Sequence, residues 1–365
     1  MQTVENGGNE DPGHVNHTTS VPKSHVNKYW TVLIELMVDI NYLILFSYAG
    51  YATRYGFEIV FSTPQGIGYT CMYFSLFTDF YANAFGCFVM GLFDEVNTIL
   101  LVPNKHHRLS NLVTVGVMLG YCGCTTTFSS WQYDSMFALI HGQVGTFFLR
   151  EVLGWCVSYY ASVIGHDMTT LIIAPIHDAI IKIKLKRNKV NTQDNKNKTL
   201  FFKTLWIFIM FLFFCFNVIL TLLWIALLSS PLSQALRLVS ASLLFSPFGC
   251  ILRYGFSKLN TRLKPKIPVF TLVSNLIATI MIGFFRVTDQ RYSSVNGVEG
   301  LNIFFLSISS GFCGCLSTVS TLVEEIKNKL SDVKQKYSYM LITFLIPNLA
   351  LLAIVGGFVW TDQQT

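Results

Sequence analysis

Read for runs of apolar residues, the chain alternates long hydrophobic stretches with short polar or basic ones. Crossing the hydrocarbon core of a bilayer as a helix takes about 20 mainly apolar residues. Nine stretches meet that length: 30–53, 72–93, 112–133, 149–166, 201–228, 236–256, 268–286, 302–323 and 338–360. The pattern predicts an all-α membrane protein of nine spans. The region 134–181 is long for one span and a loop, so 169–181 is expected to lie along the interface. A tenth crossing there is the alternative. The first 28 residues are polar and rich in Gly, Asn and His, with no apolar core. They read as a disordered tail, not a signal peptide.

Composition agrees. Of 365 residues 52% are hydrophobic and only 13% charged, against about a quarter charged in soluble domains. Most of the nine cysteines fall inside apolar stretches, which argues against a secreted disulfide framework. The net charge of +6 is explained by its placement. Lys23 and Lys28 lie in the tail. Other basic residues cluster after span 2 (Lys105, Arg108), after span 4 (182–203), after span 6 (258–266) and after span 8 (327–336). With nine spans all of these fall on one side, 20 of the 26 basic residues. The positive-inside rule makes that side cytosolic and puts the C-terminus outside. A tenth span would split the basic loops. A nucleic-acid partner is not implied.

The chain repeats itself. "GYATRYGF" (50–57) returns as "GCILRYGF" (249–256), "ANAFGCFVMG" (82–91) as "SNLIATIMIG" (274–283), and "GYCGCTTTFSSW" (120–131) as "GFCGCLSTVSTL" (311–322). The offsets are 199, 192 and 191, in one order. Spans 1–4 and 6–9 are therefore two copies of a four-helix unit. Span 5 belongs to neither. It adds the one crossing that inverts the second copy, and inverted repeats are a transporter and channel architecture. The expected layout is a tail (1–28), a first four-helix domain (29–181), a basic linker (182–200), a linker transmembrane helix (201–230) and a second, inverted four-helix domain (231–365).

Several positions carry candidate chemistry. Asn83 and Asn275 sit mid-span at matched positions. A lone Asn there is usually helix–helix glue, but an amide N–H also suits a small anion. The Gly- and Thr-rich third span of each copy reads either as close packing or as a helix break. Broken backbone at membrane depth is tolerated only where it is buried or lines a cavity, and its freed carbonyls can hold a cation. The Cys-x-Cys pairs could instead suggest a thiolate metal site. Asp79 and Thr271 lie four residues before the two Asn, and an intramembrane acid is a functional candidate. Arg54 and Arg253 end spans 1 and 6, as snorkelling residues or as positive vestibules. His166–Asp167 and His177–Asp178 read as interfacial residues beside a metal or catalytic alternative.

These motifs resemble the fluoride channels, called Fluc in bacteria, and most closely their fused fungal form, the FEX fluoride exporters. The resemblance covers roughly 30–360. It implies a passive fluoride channel of the plasma membrane, not an enzyme, with fluoride and membrane lipid as partners. It also implies a functional monomer that holds both halves of a pseudo-dimer, and no organic cofactor. A structural sodium ion is implied on backbone carbonyls of Gly123, Cys124, Gly314 and Cys315. Asn83, Asn275, Thr271, Ser129, Ser130, Ser320 and Thr321 are implied at the pore. Phe128 and Trp131 stand where the bacterial channels have pore phenylalanines, and a ring edge is positive. Val319 and Leu322 replace them in the second copy, implying one working and one degenerate pore, with Asp79 on the closed side. Asp134 and Glu325 match a family carboxylate. Ser158, Ser162, Ser338 and Thr343 could line a pore wall. A proton-coupled transporter and a membrane enzyme are the alternatives.

Overall fold

A computed structural model describes residues 23–62, 78–101, 107–187, 195–229, 233–296 and 299–362. The chain divides into two compact units, residues 1–37 and 38–365, and every candidate site residue lies in the second. The expected tail lies outside the described residues up to position 22. From Lys23 the chain is already helical.

Every described element is helical. The first copy contains α1 (Lys23–Ser62), α2 (Phe80–Val96), α3 (His107–Asn111, continuing in wide π-type turns to Cys122), α4 (Phe128–Ile140) and α5 (Val144–Arg187). The linker helix is α6 (Asn195–Ser229). The second copy contains α7 (Gln234–Leu263), α8 (Val269–Asn296), α9 (Glu299–Ser307, continuing to Cys313), α10 (Ser320–Glu324, continuing to Lys329) and α11 (Val333–Leu351). Described helix falls within each of the nine expected spans, in the second of them from Phe80 onward. Among the described residues seven segments are long and apolar enough to cross a membrane: Val32–Phe61, Arg108–Ile140, Thr204–Ser229, Gln234–Leu263, Val269–Arg291, Gly300–Lys329 and Val333–Thr361. The described part of α2 has 17 residues. In α5 the apolar sequence is diluted by Arg150, Glu151, His166 and Asp167. Helix α5 also runs unbroken through 169–181, with Pro175 inside it, so that segment does not turn aside as expected.

The linker helix is peripheral. Only 6% of its apolar window is buried. It is stapled to α1 by polar contacts: Asn217 Nδ2 donates to Asn41 O at 2.9 Å, and Tyr48 and Thr221 share a hydroxyl contact at 2.9 Å. Its other surface is apolar and exposed, with Ile207, Phe211, Ile219 and Leu222 all outward.

Both expected helix breaks are present. After Gly123–Thr125 the backbone is extended at Thr126 (ψ 145°) and Thr127 (ψ 128°) before α4 begins. After Gly314–Leu316 it is extended at Ser317 (ψ 159°). A helix that restarts must satisfy its first four N–H groups from outside, and inside a bilayer no water is there to do it. The acceptors come largely from the opposite copy. Ser317 Oγ accepts from Phe128 N at 3.2 Å and Ser129 N at 3.1 Å. Thr126 Oγ1 accepts from Val319 N at 3.3 Å and Ser320 N at 3.2 Å. Thr127 and Thr318 cap their own helices at Ser130 N and Thr321 N. Asn83 Oδ1 takes Thr127 N and Asn275 Oδ1 takes Thr318 N, both at 2.8 Å. The N–H groups of Thr127–Ser130 and of Thr318–Thr321 are thus all accounted for.

Thr126→Val keeps the side-chain shape and strips the acceptor from two buried N–H groups. It is expected to destabilise the protein by about 2–6 kcal/mol, the sum over two N–H groups, read as a lowered unfolding temperature in detergent, with Thr126→Ser restoring most of the loss. An unchanged unfolding temperature in Thr126→Val would remove the cross-copy cap as a structural determinant.

Candidate functional site

The breaks set the centre of the site. Each mid-span Asn grips the break residue of its own copy at both ends of its amide. Asn83 Nδ2 donates to Thr127 O at 3.1 Å and Asn275 Nδ2 to Thr318 O at 3.2 Å, alongside the Oδ1 contacts above. A primary amide has two N–H donors. Among the described residues no acceptor takes the second one of either Asn. Glue and anion donor are therefore compatible roles for the same side chain.

Diverting these N–H groups frees carbonyls. In an uninterrupted helix the N–H groups of 127, 128, 318 and 319 would bond to the carbonyls of Gly123, Cys124, Gly314 and Cys315. Here they go to Asn83, Ser317, Asn275 and Thr126. Four buried carbonyl oxygens thus lose their helical donors, a hard-oxygen set of the kind an alkali cation takes. Those are the carbonyls that the family resemblance implies, and their donor chemistry fits sodium. Gly123 O also accepts from Arg253 Nη1 at 2.5 Å, which leaves it a second lone pair. Among the described residues no group of three His, Cys, Asp or Glu side chains is arranged to hold a metal, so the thiols of the Cys-x-Cys pairs form no such site.

The two arginines are buried, each 3% exposed. Neither points to open solvent. Each crosses to the other copy: Arg54 Nη2 donates to Ser310 O at 2.5 Å and Arg253 Nη2 to Leu119 O at 2.6 Å. Gly123 and Gly314 lie against these guanidinium groups, where any Cβ would collide with them. Arg54 also lines a cavity of about 160 Å3 with Glu58, Asp79, Ser130, Asp134 and Arg286. Asp79, buried at the start of α2, makes no cap bond to that helix. Asp134 accepts from Thr78 N at 3.2 Å and Thr78 Oγ1 at 3.0 Å.

The four positions flagged by the aromatic motif meet in one buried cluster: Phe128, Trp131, Val319 and Leu322, all 0% exposed. Trp131 fits because Gly154 of α5 has no Cβ, which would otherwise stand 2.5 Å from the indole. Two rings that the sequence did not single out complete the cluster. Phe344 of α11 lies edge-on to Phe128 (5.5 Å between centroids) and to Trp131 (5.3 Å). Trp155 of α5 meets Phe344 at 6.0 Å and 89°.

One end of this cluster is polar. Buried Glu325 accepts from Thr271 Oγ1 at 2.9 Å, Tyr339 OH at 3.1 Å and Lys329 Nζ at 3.3 Å. One turn further along α11, the Thr343 hydroxyl is buried with no hydrogen-bond partner among the described residues. Tyr339, Thr343 and Phe344 thus form a row from a carboxylate to the aromatic cluster. Ser338, the expected hydroxyl, is exposed. Tyr339 was legible as the residue four before Thr343 on a helix. Phe344 had no signal among 31 phenylalanines.

The corresponding wall of the first copy is closed off by charge. Lys327 Nζ donates to Ser162 Oγ at 3.2 Å and pairs with Glu324 at 3.2 Å, while Asn328 Nδ2 donates to Asp94 at 2.9 Å. Ser158 is buried near Cys87. Ser129 and Ser320 belong to the hydroxyl network of the breaks, at 2.9 Å from Ser317 Oγ and 3.1 Å from Thr126 Oγ1. Thr321 Oγ1 accepts from Thr318 Oγ1 at 3.4 Å. His166 pairs with Glu95 at 3.0 Å and Asp167 at 3.3 Å. The side chains of His177 and Asp178 lie outside the described residues.

Comparison with known proteins picks out the same two regions. The profile of the family described as CrcB-like protein, Camphor Resistance (CrcB), matches residues 41–166 and 240–358. Fluoride export protein 1 of Saccharomyces cerevisiae is 24% identical over 338 residues, covering 81% of this chain and 88% of that one. Fluoride export protein 1 of Candida albicans is 25% identical over 302 residues, covering 77% of this chain and 72% of that one. Fluoride-specific ion channel FluC 1 of Streptococcus pneumoniae is 39% identical over 98 residues, covering 27% of this chain and 79% of its own length. No solved structure gives a significant match. With both repeats matched over well over half of its length, the chain belongs to the CrcB-like family.

Proposed function

We propose that this protein is a passive fluoride channel that lets the anion leave the cytosol. The observation that carries the reading is the row Glu325–Tyr339–Thr343–Phe344 leading to the edges of Phe128 and Trp131. An anion needs donors that replace its water without binding it too tightly. Hydroxyls, an amide N–H and aromatic ring edges are such donors, and none carries a full charge. Hydrogen fluoride is a weak acid that crosses bilayers neutral and ionises in a neutral cytosol. A negative-inside potential drives the anion outward by about 2.3 kcal/mol per 100 mV, so no energy coupling is required.

The working path runs between α4 of the first copy and α11 of the second, past the free amide hydrogens of the two Asn. The second route is degenerate. Val319 and Leu322 offer no ring edge, and Lys327–Glu324–Ser162 ties up one end. Nine spans with the second copy inverted support this arrangement, because reciprocal contacts such as Arg54–Ser310 and Arg253–Leu119 are those of an isologous pair. The basic loops then face the cytosol, the C-terminus lies outside, and the plasma membrane is the expected location. One chain supplies both halves, so the working unit is a monomer. Sodium bound at Gly123, Cys124, Gly314 and Cys315 would supply positive charge to carbonyl dipoles that lack their helical donors and hold the two breaks together.

Fluoride efflux from potassium-fluoride liposomes after adding a potassium ionophore tests the reading. Wild type is expected to empty them fast and in response to potential. Phe128→Ile is expected to abolish that flux, and Val319→Phe to leave it intact or raise it. Slow, saturable, proton-dependent efflux would instead indicate a coupled transporter with Asp79 as its proton carrier. No efflux from wild type would overturn transport altogether.

Phe344→Leu keeps the volume of the site and removes one ring edge. It is expected to slow efflux by about tenfold, the factor set by the ~1.4 kcal/mol upper range of an aromatic edge contact, with Phe344→Tyr close to wild type. Equal rates for Leu and Phe would confine conduction to Phe128 and Trp131.

A further inference from the structure

The turn between α7 and α8 holds a second cavity, of about 270 Å3, lined by Asn260, Thr261, Lys264, Lys266, Pro268 and Lys329. Its loop is fixed. Lys264 closes α7 in the left-handed conformation (φ 46°), with its N–H on Asn260 O at 3.0 Å. Asn260 Oδ1 accepts from Phe270 N at 3.1 Å and its Nδ2 donates to Thr271 Oγ1 at 3.0 Å. Three lysines therefore line one preformed concavity. Among the described residues only Lys329 of the three has a carboxylate within ion-pair distance, Glu325 at 3.3 Å. The cavity carries net positive charge.

An apolar stripe leaves this cavity along α7. Phe248, Leu252, Leu259 and Leu263 are exposed by 63%, 42%, 37% and 62%. Their spacing puts all four on one helical face. A basic cavity at the head of an apolar stripe matches an amphiphile with an anionic head and a hydrocarbon tail. Inorganic phosphate or a nucleotide would use the cavity and ignore the stripe.

We propose that this cavity binds the headgroup of an anionic phospholipid, a phosphatidylinositol phosphate, with an acyl chain lying along the α7 stripe. Its assignment to the cytosolic leaflet rests on the orientation proposed above. Juxtamembrane lysines attract anionic lipid of that leaflet. Because Lys329 belongs to both the cavity and the Glu325–Thr271–Tyr339 group, the headgroup sits at the inner mouth of the conduction path.

The full chain, reconstituted in phosphatidylcholine vesicles with and without phosphatidylinositol phosphate, is transferred to detergent and weighed intact to read retained lipid. Retention of one phosphoinositide is expected. Lys264→Ala and Lys266→Ala should each weaken it by about fivefold, each lysine near an anionic surface being worth ~1 kcal/mol, and Lys266→Arg should keep it. Excess inorganic phosphate should not displace the lipid. No retention, equal retention by the double alanine variant, or displacement by inorganic phosphate would each overturn the proposal. Fluoride efflux from the neutral vesicles, measured in parallel, separates the two readings. Efflux without lipid retention defeats the lipid site alone, and retention without efflux defeats the channel alone. Efflux from the lysine variants shows that they are folded.

Discussion

Two helices broken in mid-membrane exchange their caps, and the rest of the molecule follows from that exchange. Without Ser317, the N–H groups of Phe128 and Ser129 would face an apolar interior unpaired. Without Thr126, the same holds for Val319 and Ser320. An unmade hydrogen bond in hydrocarbon costs several kcal/mol. One copy of the unit therefore cannot bury its own break. It needs a second break pressed against it in a relation where each donates what the other lacks. The duplication seen in the sequence is thus a physical requirement of the broken helix. The arginines repeat the same logic with larger groups, each crossing to a carbonyl of the other copy.

That constraint acts on backbone N–H groups and on two hydroxyls. It is indifferent to the side chains at 128, 131, 319 and 322. Val319 gives its N–H to Thr126 as well as Phe128 gives its own to Ser317. Position 79 is likewise outside the cap, so an Asp can stand where the other copy has Thr271. A symmetric scaffold can therefore carry an asymmetric lining at no cost to the fold. The second copy is then free to lose its rings, while Phe344 and Trp155 crowd around the two that remain.

What the sequence could and could not reveal divides along the same line. The helices, the repeat and the two breaks were legible because each is a local pattern: apolar run length, matched motifs, and Gly and Thr where a span should be greasy. Which four carbonyls the breaks would free came only from the family resemblance, not from a local pattern. The cross-copy caps were not legible, since Thr126 and Ser317 look like ordinary small polar residues until the opposing break is in place. Phe344 was hidden for a related reason. Which of many phenylalanines faces Phe128 depends on the rotation of α11, and a helix that is apolar all round gives no phase. Ser338 and Tyr339 show the consequence of an uncertain phase. The two lie about 100° apart around the helix, Tyr339 is the buried one and Ser338 the exposed one, and hydroxyl chemistry alone could not choose between them.

The burial of Arg54 and Arg253 changes what they do for an anion. An arginine at a wet mouth attracts fluoride from solution but is screened there. These two are 3% exposed, and the contacts that hold them are carbonyl oxygens, not carboxylates. Carbonyl dipoles orient the Arg253 guanidinium without cancelling its charge, whereas Arg54 shares its cavity with the carboxylates of Glu58 and Asp79. In the proposed channel the uncompensated positive charge at the depth of the breaks is therefore that of Arg253, where a crossing anion would lose most of its water. At an effective dielectric constant of 20, a unit charge about 8 Å away is worth ~2 kcal/mol, a useful fraction of that desolvation cost. Because both guanidinium groups are engaged on backbone, an anion on the proposed path would feel the field without meeting the charge. Attraction without capture is what separates conduction from binding, and here it comes from the same contacts that hold the two copies together.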